Sequence, residues 1–346
     1  MRFYDIEFNL NTSTKADLLN DMAIKSGSNQ YFSSKGAINN NLHFVLDETN
    51  PYAIRITFNI QHFSDAGVYT PSVLTMYNPP TSFFSCAGAL VGSTVKISAG
   101  IKPSVFTSKL NLSTDVNTLL YIGNVARVVP QYTGKDPSVA ILLGSFIDSN
   151  NTEQVEPLEK GGSISEYLQK ILNKLYPSVS VEIAENAKDK TLQDKQTYQN
   201  KFSKLDEVSA LANKFGLRLA IMANKIKIYD MENPKDDSIE PFKPKEQDFL
   251  TQPELQSLSE IQCVFALNAS LQLGQDIELP SGMAMNGGSL LEDSNALAGV
   301  SNLNALITSG TYTIKGIWHT GDSRNSSAEA WATTISAVKA TNNLAS

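Results

Sequence analysis

Two cysteines and three histidines are all that 346 residues offer of the side chains most often used for metal binding and nucleophilic chemistry. Cys86 and Cys263 are too few for a disulfide framework in a chain of this length. Both sit among apolar or small neighbours, so they read as buried free thiols in a reducing compartment. His43, His62 and His319 are far apart, and none has a partner at metal-ligand spacing. The sequence has no Gly-x-Ser-x-Gly elbow, no His-Glu-x-x-His and no phosphate loop. The glycine-bearing run Gly88-Ala89-Leu90-Val91-Gly92-Ser93 lacks the lysine and third glycine of a phosphate cradle, and reads as a turn before a strand. Charge is also sparse: Asp, Glu, Lys and Arg make up 18%, against roughly 25% in ordinary soluble domains. The formal net charge of −7 excludes a protein that grips nucleic acid by neutralising phosphates. A hydrophobic share of 41% excludes a disordered chain, and heptads of a coiled coil are absent. Long apolar runs are missing as well. The longest, Val139 to Ile147, contains Gly144 and Ser145 and falls far short of the roughly 20 residues of a spanning helix. Charges interleave with apolar residues from Met1 to Phe8, unlike a secretory leader. The expectation is a chain made in a cytoplasm and soluble there, with no stable membrane anchor.

What is present is β-patterning at both ends and a helical unit between. Arg55 to Phe63 alternates strictly, with Ile54, Ile56, Phe58 and Ile60 on one face. Val73–Tyr77 follows and stops at Asn78-Pro79-Pro80; then come Thr94–Gly100, Leu119–Val128 and Val139–Ile147. Short strands punctuated by Gly, Pro, Ser and Asn indicate a barrel or sandwich, and Ser26 to Asn41 reads as a loop. Next, Ser163-Ile164-Ser165-Glu166 is a Ser-x-x-Glu capping box. Ile164, Tyr167, Leu168, Ile171, Leu172 and Leu175 follow at helical spacing, closed by Pro177. Val179, Val181 and Ile183 alternate as a strand, and the polar run Glu185–Asn200 reads as a mobile loop. A second helix spans about Ser203 to Phe215, with Gly216 as its stop, and a hairpin turns at Ala223-Asn224. Strands return at Gln262–Leu267, Asp276–Leu279, Gly310–His319 and Trp331–Val338. The fold class is therefore α+β, mostly β. Its units are a first β-domain at 1–157, a small α/β domain at 158–232, a proline-rich linker at 233–254 and a second β-domain at 255–346. The nearly uncharged segment 281–309 is long for a structureless loop; a partner contact explains it, and disorder in the free protein is the alternative.

One cluster superficially resembles an acid–base constellation: Trp318-His319-Thr320-Gly321-Asp322-Ser323-Arg324. Residues adjacent along a strand exit diverge, whereas catalytic groups converge from distant segments. The expected arrangement is a turn at Gly321 and Asp322 with a hydrogen bond from His319 across it. Paired carboxylates such as Glu260 with Asp276, or Asp236-Asp237, do not by themselves indicate a hydrolytic pair, since any chain this long has many. No catalytic, cofactor-binding or metal residue is assigned, no cofactor is implied, and the chain is expected not to be an enzyme.

Taken in order, the C-terminal motifs form a pattern. Leu267-Asn268-x-x-Leu271-x-x-Gly274-x-x-Ile277-x-Leu279 is followed by Gly310 to Arg324, containing His319-Thr320-Gly321-Asp322, and then by Trp331-Ala332-Thr333-Thr334-Ile335. This resembles the closing pattern of baseplate hub proteins from tailed bacteriophages, in the tube-initiator family of contractile tails. Ile56–Ile60, Leu74–Asn78, Val95–Gly100 and Ile122–Val125 resemble that family's first β-domain, and Leu211–Leu217 its small α/β domain. The resemblance implies two tube-like β-barrel or sandwich domains flanking the α/β domain. It implies a structural virion protein: a homotrimer forming a pseudo-sixfold ring that joins the tail tube to the central spike, with DNA passing through its channel. Implied partners are a tail tube or tube-adaptor protein, the spike protein and other baseplate proteins, with no specific nucleic-acid binding. The implied location is the virion tail baseplate, after synthesis in the host cytoplasm. A negative lumen repels DNA phosphates and lets the duplex pass without adhering. The second reading is a glycan-binding or glycan-hydrolysing tail component. A third is a secretion-system spike relative, which would continue into a long β-helical repeat absent from this sequence.

Overall fold

A computed structural model of the chain describes residues 2–10, 41–46, 53–63, 72–79, 83–84, 87–101, 119–132, 136–144, 153–154, 161–177, 179–188, 190–192, 201–202, 205–222, 225–230, 235–236, 238–257, 259–281, 283 and 310–340. Most of the strands belong to one antiparallel sheet. Its N-terminal members are β1 (Arg2–Asn9), β2 (Asn41–Leu46), β3 (Arg55–Phe63), β4 (Ser72–Tyr77), β5 (Thr94–Ile101), β6 (Leu119–Gln131) and β7 (Ser138–Gly144). After β8 (Glu153–Gln154) come helix α1 (Ile164–Leu175), β9 (Ser180–Ile183), β10 (Lys201–Phe202), helix α2 (Leu205–Lys214), β11 (Leu217–Met222) and β12 (Lys225–Asp230). The C-terminal strands are β13 (Glu254–Ser257), β14 (Glu260–Ala266), β15 (Asp276–Glu278), β16 (Thr311–Asp322) and β17 (Trp331–Lys339). The large sheet has twelve strands in the order β13-β14-β17-β16-β3-β4-β7-β6-β5-β1-β2, with β15 on β16.

Alternation decides which face of each strand is buried. Ile56, Phe58 and Ile60 of β3 are buried, as are Leu74 and Met76 of β4, Val95 and Ile97 of β5, and Tyr4, Ile6 and Phe8 of β1. All belong to one hydrophobic cluster. Strands this far apart in the order share a core because the sheet rolls. The Tyr4 hydroxyl donates across it to the Ile54 carbonyl at 2.5 Å, and the Trp331 indole N–H donates to the Gly100 carbonyl on β5 at 3.1 Å. No backbone pairing closes the roll into a barrel among the described residues.

The sequence separates the two β-regions by an α/β unit, but the fold joins them. Strand β16 pairs with β3 from Gly316↔Phe63 to Asp322↔Thr57, so the N- and C-terminal regions form one sheet rather than two sheets set apart. β1, β2 and β13 also go beyond the strands expected from the sequence. β6 runs past Val128 to Gln131 and includes Pro130. β5 pairs with β6 only up to Asn124, so the far end of β6 is an edge where the N–H that proline lacks is not needed.

The middle unit follows its periodicity. The Ser163 side chain caps α1 by accepting from the Glu166 N–H, and Ile164, Tyr167, Leu168, Ile171, Leu172 and Leu175 are all buried. Gly216 adopts φ +67 at the end of α2, the left-handed stop that a helix terminus favours. β9 runs parallel to β12, and β11 pairs with β12 antiparallel. The run from Glu185 is less free than its polarity indicates. Ala187 and Leu192 are buried, the Leu192 N–H bonds to the Gly162 carbonyl, and Thr191 bridges Ser163; residues 193–200 lie outside the described residues. The linker is likewise strapped down. Phe242 exchanges backbone bonds with Asp276 and Glu278, Leu250 bonds to Val264, and Phe242 and Phe249 both pack on Phe265. Of the expected loop from Ser26 to Asn41, Asn41 instead begins β2 and pairs with Asn9; the rest of it, Cys86 and most of 281–309 lie outside the described residues. No helix among the described residues is long and apolar enough to cross a membrane.

Candidate functional site

The residues that the sequence singles out as chemical meet at the β3–β16 seam. At one end, Asp322 accepts from the Arg55 guanidinium at 2.7 and 3.2 Å, a two-point contact between the two β-regions. The Arg324 N–H donates to the same carboxylate at 3.0 Å. Burial alone would raise the Asp322 carboxyl; the Arg55 guanidinium and the backbone N–H groups outweigh it and hold it below its ordinary range. Ser323 bonds Ile56 twice, through its N–H to the carbonyl and its hydroxyl oxygen to the N–H. Arg324 reaches back to the Ala53 carbonyl at 2.6 Å. From β1, Arg2 donates to the carbonyls of Asp322, Asn325 and Ser327, and lies over the Trp331 ring. Apart from the Arg324 N–H, which closes the local turn, these polar groups fasten one segment to another.

Gly321 sits between Phe58 and Trp331 in register. The two rings meet edge-on, 5.2 Å apart. A Cβ at Gly321 would lie 2.3 Å from the Phe58 ring, so this strand position admits no side chain. Contrary to the expected turn at Gly321 and Asp322, both residues finish β16, and the turn begins at Ser323.

His319 bonds across to the neighbouring strand, at Thr333, its direct partner on β17. Its Nδ1 lies 2.9 Å from the Thr333 hydroxyl oxygen. That hydroxyl accepts from the Asn268 N–H and gives its own hydrogen to the Asn268 carbonyl. His62, on the same face of β3, donates from Nε2 to the Leu120 carbonyl at 3.0 Å. The two rings meet edge-on at 5.7 Å, and burial pulls both imidazoles below their ordinary range. Nothing in the sequence connects these two histidines; pairing of β3 with β16 does it.

The carboxylates considered as a hydrolytic pair have separate partners. Glu260 accepts from Lys315 at 2.7 Å and from Ser336 at 2.8 Å. Asp276 accepts from the buried Thr313 hydroxyl at 2.8 Å and faces Lys235. Asp236 forms a buried ion pair with Lys227 and accepts twice from Ser238, while its N–H bonds to the Gly274 carbonyl. It thus ties β12 to the C-terminal β-region; Asp237 lies outside the described residues. Cys263 is buried, and burial pushes its thiol up to about 12. No group of three His, Cys, Asp or Glu side chains able to hold a metal occurs among the described residues.

No family model matches the chain, and no curated protein sequence matches it. Solved structures do overlap it. The chain is similar to a tail protein from Neisseria meningitidis at 8% identity and a TM-score of 0.47, covering 83% of this chain and 96% of that one. It is similar to the 43 kDa tail protein of prophage MuSo2 from Shewanella oneidensis at 8% identity and a TM-score of 0.45, covering 83% and 98%. It is also similar to a chain of the Francisella PdpA–VgrG complex at 10% identity and a TM-score of 0.43, covering 99% of this chain and 53% of the other.

Proposed function

We propose that this chain is a non-enzymatic structural protein of a phage-type tail, acting in the baseplate hub that joins the tail tube to the central spike. The observation that carries the reading is the β3–β16 ladder, which fuses both β-regions into one rolled sheet. A protein that turns three chains into a six-part ring needs its two β-regions fixed side by side at a set angle. A continuous backbone ladder, locked by Arg55 and Asp322 at one end, supplies that rigidity. The order of sequence motifs from Ile56 to Ile335 points the same way. In this reading the chain is a homotrimer bound by a tube or tube-adaptor protein on one face and a spike protein on the other, within the virion baseplate. Its net charge of −7 suits a channel that DNA crosses without adhering. The domains run 1–157, 158–232 and 255–346, with the linker 233–254 between the last two.

Segment 281–309 is the proposed contact with a neighbouring subunit, because so long a stretch with almost no charge suits burial between chains. Purified chain lacking it should lose trimerisation and its binding to cognate tube and spike proteins. Unchanged assembly would refute that role. Incubation with peptidoglycan or envelope polysaccharide should release no reducing ends; release would favour the glycan-hydrolysing reading instead.

A further inference from the structure

The His62–His319 pair occupies a particular place: all three units of the chain meet there. His62 belongs to β3 of the N-terminal β-region, and His319 to β16 of the C-terminal one. The Ile221 carbonyl on β11, from the α/β unit, is a second backbone acceptor for the His62 ring beside that of Leu120. Both side chains are buried, at 7% and 3% exposure. In the ladder, His62 faces Ile317, one rung from the terminal pair Phe63↔Gly316. Beyond that rung β16 leaves β3, and on its other side its pairing with β17 shifts register between Ile314 and Gly316. His62 therefore sits beside the terminal rung of the seam and His319 at its middle, while the Arg55–Asp322 contact secures the other end.

We propose that this pair is an acid-sensitive lock: neutral, it closes the junction of the three units, and a proton taken up there opens the seam from its Phe63–Gly316 end. A neutral imidazole has one N–H to give, and two backbone carbonyls face His62. A second N–H would satisfy both, so His62 is the ring that takes the proton. His319 already bonds the Thr333 hydroxyl through Nδ1, and no acceptor faces its Nε2 among the described residues. The groups packed around the pair are carbonyls from β6 and β11 and the Thr333 hydroxyl from β17. Among the described residues no carboxylate or ammonium acts on either ring, and the charged neighbour of His319 would be His62. An imidazolium here is therefore buried with no counter-charge, which favours entry of water over a closed seam.

The sign follows from linkage. Both rings are held below their ordinary value of about 6.5, so the open form binds more protons than the closed one. Closure is fully favoured above that value and weakens as pH falls through it, until the folded rings themselves titrate.

Hydrogen exchange on the full chain between pH 7 and pH 5, corrected for intrinsic rates, tests the proposal. Amides of 60–63 and 316–319 should open more readily by up to about tenfold per pH unit below about 6.5. The β1–β5 ladder should not change. H62Q should remove most of this pH dependence, and H62Q/H319Q all of it. Equal pH response in both ladders, or an acid response that survives in the double variant, would overturn the proposal. If the double variant fails to fold, ring-proton NMR of the wild type decides. Seam opening that tracks titration of a buried ring supports the lock, and opening without such titration refutes it.

Discussion

Asp322 illustrates how much one side chain can fasten. It receives Arg55 from β3 and the Arg324 N–H from its own turn, and its carbonyl receives Arg2 from β1. Replacing it with alanine removes hydrogen bonds to a charged acceptor and leaves Arg55 unpaired; the expected cost is about 1–3 kcal/mol, measurable by urea unfolding. The carboxylates of Asp322 and Glu260 are both held below their ordinary range. For each, burial pushes upward, and Arg55 or Lys315 with its hydrogen bonds prevails. Their contribution is present above about pH 4 and is lost as pH falls through the lowered values, so D322N should flatten the acid limb of the stability curve. Gly321→Ala drives a Cβ into the Phe58 ring and should cost about 1–3 kcal/mol by overpacking. A second change, Phe58→Leu, should restore part of it, and a double-mutant cycle measures the coupling. Cys263, buried with its thiol raised to about 12, should resist thiol reagents in the folded protein and react once unfolded. Of these roles, the sequence exposed only that His319, Gly321 and Asp322 stand together. What Gly321 accommodates depends on Phe58, more than 250 positions away, and composition carries no trace of that.

Elements were legible wherever one period ran without interruption. β3 and α1 bury the residues their alternation and helical spacing select, because burial on one side is the only way such a segment removes its apolar atoms from water. Ser163→Ala should cost about 1 kcal/mol through the lost cap, with reduced amide protection confined to the first turn of α1. β1 carried the same kind of signal: Tyr4, Ile6 and Phe8 are buried while Asp5 is exposed. Asp5 and Glu7, two of the charges that interleave there, lie on the outer face of the strand. The Glu185–Asn200 run misled for the opposite reason. Its few apolar residues, Ala187 and Leu192, are enough to pin the described part onto α1 and its neighbours, and counting polar residues hides that. The proline-rich linker is held by backbone bonds from Phe242 and Leu250, contacts that no side-chain pattern reveals.

At the scale of the molecule, what the sequence concealed is topology. Alternation identifies a strand and its buried face but not its partner, and β3 and β16 come together across the whole intervening α/β unit. Rigid coupling of the two β-regions is the property that a ring-forming hub requires, and it is the basis of the proposed role. Imaging of the purified full chain by electron microscopy, with its mass measured in solution, tests that role most directly. A three-chain ring of six β-regions around an open channel is the predicted result. A monomer with a deep acidic cleft, or a closed assembly without threefold symmetry and a channel, would contradict it.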